Sequence, residues 1–358
     1  MKQHIDTLMQ QNHVDALWIS GAGQHNSAMV YFTGIAHLTG ADLFVIPGRT
    51  PILCHGPMER DEAAKSGFDL LSYAEFDLSA LLKETGGDLR TAYALRYKRI
   101  LESIGLTKGK VLVYGSRDVG PYLAVVQELQ KMLPELELTG DVNEIILLEA
   151  RATKDERELE RIRAMARVTT RVVGNTLDML TAHKVRRDTL IKSDGQPLTI
   201  GDVKTQINLW LTTYGAENPE DTIFAIGRDA GVPHSSGTPT DPIRLGQTIV
   251  YDIFPCEQGG GYFYDFTRTW CLGYATDEVH QIYDQVLRTY NQLVSELKVG
   301  INPAGLQQRT CELLEAYGHE TVRTNPRVSS GYVHSLGHGV GLDVHEKPWF
   351  SRPTDDSN

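Results

Sequence analysis

The sequence predicts two domains, an α/β domain over residues 1–148 and a helix-and-hairpin domain over residues 152–358. Three observations lead there. The 358 residues exceed the size, roughly 250–300 residues, at which a single core stops growing. Up to Leu147, short apolar runs alternate with helix-like stretches, the pattern of strands interleaved with helices. Beyond Glu149 the pattern changes to one long charged helix, so a boundary is expected at 148–152.

In the first domain the runs ALWIS (16–20), ADLFVIPG (41–48) and GKVLVYG (109–115) read as strands. GKVLVYGSRDVG sits where a phosphate-binding turn could lie. It lacks the GxGxxG glycines and reads as scaffold. The long helix is announced by Thr153 and Glu156 in capping-box spacing, followed by Leu159, Ile162, Ala166, Val173, Leu177 and Leu180 at helical period. A further helix is predicted around Ile200 to Tyr214. Then comes QTIVYDIFPCEQGGGYFYDFTRTW (247–270), an apolar strand, a Gly-rich turn and a second strand, with one acid on each, Asp252 and Asp265. Two more helices follow. One spans about Thr276 to Lys298 with Val279, Ile282, Val286, Leu293 and Leu297 on one face; the other opens at Asn302-Pro303, an N-cap with proline at the first helical position, and stops before Gly318. Two helices and a hairpin followed by two helices suggest a duplicated unit, which would place a second hairpin next. The chain instead ends in the polar stretch SRPTDDSN.

If the turn is centred between Gln258 and Gly259, Asp252 and Asp265 pair directly across the hairpin on one face. Their Cβ atoms would lie about 5 Å apart, and like charges so placed destabilise a sheet unless compensated. A divalent cation compensates them; a shared proton, or exposure of both to solvent, is the alternative.

The net charge of −11 argues against nucleic acid or an anionic membrane as the main partner. Peptides and small molecules remain open. Cys54, Cys256, Cys271 and Cys311 form no CxxC pair, so neither a zinc ribbon nor a disulfide scaffold is expected and a reducing cytoplasm fits. The first residues lack the apolar core of a signal peptide, and no segment reaches the length of a membrane span.

The segment HSLGHGVGLDVHEKP concentrates His334, His338 and His345 in a chain with only twelve histidines. Gly337, Gly339 and Gly341 punctuate it, and glycine costs about 1 kcal/mol per helical position, so an irregular loop or strand is predicted. It is not the HExxH helix of zinc proteases, because Trp349 stands where the second histidine would be. His234 lies in the loop-like IGRDAGVPHSSGTPTD that leads into the Asp252 strand.

The order His234, Asp252, Asp265 with the following TRT, and then HSLGHGVGLDVHEKP, resembles the M24 metallopeptidases, and among them the Xaa-Pro aminopeptidase and prolidase branch. The first domain is similar to the creatinase-type N-terminal domain. The resemblance implies an α/β domain followed by an α+β pita-bread domain whose last strands are missing here. It implies Asp252, Asp265 and His338 as metal ligands, His234 and His345 as catalytic side chains assisting proton transfer and oxyanion stabilisation, His334 in the substrate pocket near the proline, and Thr267 behind the metal ligands, beside Asp265. It further implies two divalent ions, manganese before cobalt, iron or zinc, activating a water to hydrolyse peptide bonds preceding proline. A homodimer is implied as well. Two further glutamate ligands belong to the family pattern. After His345 this chain offers only Glu346, Asp355 and Asp356, none in a matching motif, so a truncated sequence is expected. An inactive relative acting as a peptide- or protein-binding module, or a metal-free hydrolase of the creatinase type, is the alternative reading.

Overall fold

The computed structural model describes residues 4–350. The chain divides into two compact units, Met1–Asp155 with Gln258–Gly261, and Glu156–Glu257 with Tyr262–Asn358. Asp355, Asp356 and the rest of SRPTDDSN lie outside the described residues.

The first unit is built on a six-stranded sheet of β1 (Ala16–Gly21), β2 (Ala41–Val45), β3 (Ile52–His55), β4 (Asp69–Ser72), β5 (Gly109–Gly115) and β6 (Leu136–Thr139), in the order β4-β3-β2-β1-β5-β6. Only β2 runs against its neighbours; β1–β5, β5–β6 and β3–β4 are parallel. The central strand β1 is buried along its whole length, which is why ALWIS reads as an unbroken apolar run. Among the described residues the unit also holds the helices α1 (Ile5–Gln11), α2 (Ser27–Thr33), α3 (Arg60–Ala64), α4 (Leu78–Glu84), α5 (Leu89–Ser103), α6 (Val119–Met132) and α7 (Leu147–Ala152). Asn26, Asp77, Asp88 and Asp118 each cap the helix that follows, satisfying amide groups that a helix start leaves open. Within the core, the fully buried Asp42 accepts hydrogen bonds from Trp18 Nε1 (2.7 Å), Ser20 Oγ (2.5 Å), Tyr97 Oη (3.1 Å) and Tyr73 Oη, with Arg117 at 3.9 Å.

The second unit begins with α8 (Glu156–Ala182), the predicted long helix. The hairpin β7 (Lys184–Arg186) and β8 (Thr189–Ile191) leads to α9 (Ile200–Thr213), where Thr199 and Asp202 form a capping box. Next come β9 (Ala216–Glu217), β10 (Ile223–Ile226), β11 (Thr248–Ile253), β12 (Cys256–Glu257), β13 (Phe266–Cys271), α10 (Asp277–Glu296), α11 (Pro303–Ala316), β14 (His338–Gly339) and β15 (Glu346–Trp349). Strands β10-β11-β13 form an antiparallel sheet. Along β11, Ile249, Tyr251 and Ile253 are buried against Val172, Val203 and Phe224 in one apolar core. Thr248, Val250 and Asp252 alternate to the other face, as the period-2 geometry of a strand demands. No helix among the described residues is long and apolar enough to cross a membrane.

The hairpin register differs from the expected one. Asp252 pairs with Thr267, not with Asp265, and Ile253 pairs with Phe266. This centres the connection between Gly259 and Gly260. The connection is no tight turn: Cys256–Glu257 leave β11 to pair with β9, and Gln258–Gly261 fold into the first unit, where Gly259 O accepts the His25 N–H at 3.1 Å. Shifting the centre by one residue moves the partner by two, so both aspartates keep the same face and sit diagonally instead of directly opposite. The pair β14–β15 is antiparallel with a bulge between His338 and Gly339.

Candidate active site

The face of the sheet that carries Asp252 forms the floor of a cleft of about 650 Å³, whose wall includes His234, Asp252, Asp265, Thr267, His334, His338 and His345. All seven residues singled out in the sequence therefore converge on one cavity, from four separate stretches of chain.

Each is positioned by a local rule. Asp252 faces the cleft because its neighbours Tyr251 and Ile253 face the core. Asp265 precedes the first residue of β13, and Thr267 lies across the ladder from Asp252. The Thr267 hydroxyl donates to Asp252 Oδ1 at 2.5 Å, so from beside Asp265 it reaches across the ladder to the other acid. His234 follows the short 3-10 turn Gly227–Gly231 and adopts φ +61°. That left-handed conformation costs a non-glycine residue on the order of 1 kcal/mol or more, and such costs concentrate at functional sites. Its ring meets that of His334 edge-on at 6.0 Å, and the rings of His338 and His345 lie 4.3 Å apart.

The electrostatics follow from these placements. Burial pushes the Asp252 carboxyl up to about 6; the Thr267 hydroxyl opposes this, the Asp265 charge and a hydrogen bond to Asp265 add to it, and nearby His234 lowers it. The crowding of two acids on one face thus makes Asp252 harder to ionise than an ordinary carboxyl. His338 Nε2 lies 3.5 Å from Asp265 Oδ2, and the hydrogen bond to Asp265 holds its imidazole above the ordinary histidine value despite burial. His345 moves the other way: burial and then the adjacent His338 hold it below that value.

The donor set suits a divalent ion. Two carboxylates and one imidazole are oxygen-rich ligands for a hard or borderline metal, and a cation would offset the repulsion between the two acids. His338 Nδ1 lies 3.0 Å from Gly339 O. With Nδ1–H donated to that carbonyl, Nε2 is left as the ligand atom, the arrangement usual for a metal histidine. Asp265 touches both other donors. Among the described residues, however, no three His, Cys, Asp or Glu side chains close into a metal-sized group. Glu220, absent from the sequence expectations, also lines the cleft and contributes to the His345 electrostatics; no motif surrounds it.

The profile of metallopeptidase family M24 matches residues 160–358. A Xaa-Pro dipeptidase of Pyrococcus furiosus is 24% identical over 359 aligned residues, covering 98% of this chain and 86% of the relative. One from Pyrococcus horikoshii is 26% identical over 349 residues, covering 96% of this chain and 82% of its own. Among solved structures, the P. furiosus prolidase superposes with a TM-score of 0.70 at 20% identity, covering 97% of this chain and 86% of its own; an X-Pro aminopeptidase of Thermotoga maritima gives 0.69 at 20% identity, covering 98% and 85%. These likenesses give the fold, an α/β domain followed by a pita-bread α+β domain.

Proposed function

This chain belongs to metallopeptidase family M24, and from that premise we propose that it is a metal-dependent exopeptidase hydrolysing peptide bonds that precede proline, with residues 152–358 carrying the chemistry. The observation that carries the reading is the convergence of His234, Asp252, Asp265, Thr267, His334, His338 and His345 on one cleft. Asp252, Asp265 and His338 would hold the metal. Bound divalent ions supply Lewis-acid polarisation of the scissile carbonyl and activation of a water.

The remaining steps belong to the chain's own side chains. His345, kept neutral by burial and by His338, accepts a proton near neutral pH, where a basic imidazole is at its most useful. His234, held by its left-handed backbone beside Asp252, donates to the oxygen that gains charge as the carbonyl is attacked. His334, stacked edge-on against His234, shapes the pocket for the proline ring. Thr267 fixes the Asp252 carboxylate through its hydroxyl. Manganese, a homodimer and residence in the cytoplasm complete the proposal. Manganese is supported by the carboxylate-rich donor set; the other two rest on the family resemblance and on four cysteines that carry no disulfide.

The test is an assay of Xaa-Pro and Xaa-Pro-Yaa peptides with added Mn²⁺. Turnover of either is expected, the preference separates dipeptidase from aminopeptidase, and turnover of neither refutes the proposal. Asp265→Asn should abolish turnover while leaving peptide binding unchanged. A binding module without hydrolysis is the second reading; peptide binding by the wild type with no turnover supports it.

A further inference from the structure

We propose that Glu346 is a positioning residue, whose buried carboxylate fixes the loop that carries His338 and His345 into the cleft. The proposal rests on the catalytic reading of those two histidines.

Glu346 opens strand β15 and is fully buried, an environment in which an acid is rarely found unless it is paired or hydrogen-bonded. It lies next to His345 in sequence and opposite Gly339 in the β14–β15 ladder, one residue beyond His338. Its backbone is thus close to both imidazoles.

Three observations show what it holds. Its Oε1 accepts the Asp343 N–H at 3.1 Å. Its carboxyl packs against Gly341 so closely that a Cβ there would lie 2.3 Å from Oε2 and 2.6 Å from the carboxyl carbon. Gly341 in turn is bonded on both sides: its N–H donates to Asp343 O at 3.1 Å, and its carbonyl accepts the Phe263 N–H at 2.7 Å. Phe263 stands two residues before Asp265. The carboxylate of Glu346 therefore seats the Gly341–Asp343 turn, and that turn is tied to the aspartate hairpin. The distance between the imidazoles and the carboxylates is set through this chain of contacts. Val344 and Phe263, which flank this chain of contacts in sequence, are themselves buried with Cys256 in one small apolar cluster.

The experiment compares wild type with Glu346→Gln, Glu346→Ala, Gly341→Ala and the double variant Gly341→Ala/Glu346→Ala. The readouts are nuclear Overhauser contacts between the His338 and His345 rings in histidine-labelled protein, kcat and KM on Xaa-Pro peptides, and thermal unfolding. Gln keeps an acceptor for the Asp343 N–H, so Glu346→Gln should retain the ring contact and most of kcat. Glu346→Ala should lose the ring contact and reduce kcat on the order of 100-fold with KM little changed, the cost of misplacing catalytic groups by about 1 Å. Gly341→Ala leaves the carboxylate in place but pushes a methyl into it. A buried carboxylate cannot swing aside into water, so this variant should show the same loss. Because both variants act on one contact, the double variant should be no worse than the worse single one.

A folded Glu346→Ala, or a folded Gly341→Ala, that keeps the ring contact and kcat overturns the proposal. If Glu346→Ala does not fold, Gly341→Ala decides alone. The ring contact is read without turnover. A wild type that shows the contact but cleaves neither peptide counts against the exopeptidase reading, while loss of the contact in the variants still supports the positioning role.

Discussion

Replacing Thr267 by valine removes one hydroxyl and little volume, and it should weaken metal binding in a pH-dependent way. The Thr267 hydroxyl donates to Asp252 at 2.5 Å and lowers its carboxyl, which burial and Asp265 together raise to about 6. A hydrogen bond to a charged group is worth roughly 1.5–3 kcal/mol, and Thr267 is exposed, so the lower end applies; that is about one pKa unit. Metal and proton compete for the same oxygens. Raising the carboxyl from about 6 to about 7 therefore costs nothing well above pH 8, about two-fold in Mn²⁺ affinity at pH 7, about five-fold at pH 6 and about ten-fold at pH 5. The sign follows from competition: a group with a higher pKa stays protonated over a wider acidic range, so the deficit grows as pH falls. Isothermal titration of Mn²⁺ into wild type and Thr267→Val across pH 5 to 8.5 reads this directly. A ratio of affinities that stays constant with pH would show that Thr267 acts on geometry alone, and would refute the electrostatic reasoning.

Three further outcomes are expected. Asp42→Ala leaves the Trp18 N–H, three hydroxyls and the Arg117 charge without their acceptor and should destabilise the protein by about 3–5 kcal/mol; a loss under about 1 kcal/mol in urea unfolding contradicts the network's importance. Thr199→Ala removes the capping box of α9 and should cost about 1 kcal/mol by the same measurement, with no change implying that tertiary packing alone sets the helix start. In metal-free protein the His345 ring should titrate, by NMR, below an ordinary histidine because burial and His338 disfavour its charged form; a midpoint at or above the ordinary value contradicts that environment.

The parts of the fold legible in the sequence are those specified by local chemistry. β1 and β5 appear as apolar runs because their environment is buried. α11 begins where Asn302 and Pro303 supply a cap and a preset φ, the side chain of Asn302 accepting the Ala304 N–H. The candidate site was legible for a related reason, since its histidines and aspartates stand in short segments whose types and order carry meaning. The hairpin register was not legible. Its centre depends on Cys256–Glu257 pairing with β9, about forty residues earlier, and on Gln258–Gly261 joining the first unit. Nothing within 247–270 encodes those contacts. The hydrogen bond from Thr267 to Asp252 was not legible for the same reason, because it is defined across the ladder. Glu220 and the burial of Glu346 escaped because each gains its place only once distant strands have come together.

Strand β11 has a consequence for how this site can vary. Asp252 shares a six-residue strand with Ile249, Tyr251 and Ile253, which are all core. Its position can be lost only by an opening that also exposes that core, so its amide should exchange with solvent near the global unfolding free energy. His338 and His345 sit instead on a two-residue strand and the loop after it, held by the Glu346 contacts and not by a long ladder. Asp252 is thus anchored by the core of its own unit, whereas the two imidazoles depend on the contacts of the Gly341–Asp343 turn, and substitutions that move them without unfolding the protein will be found there.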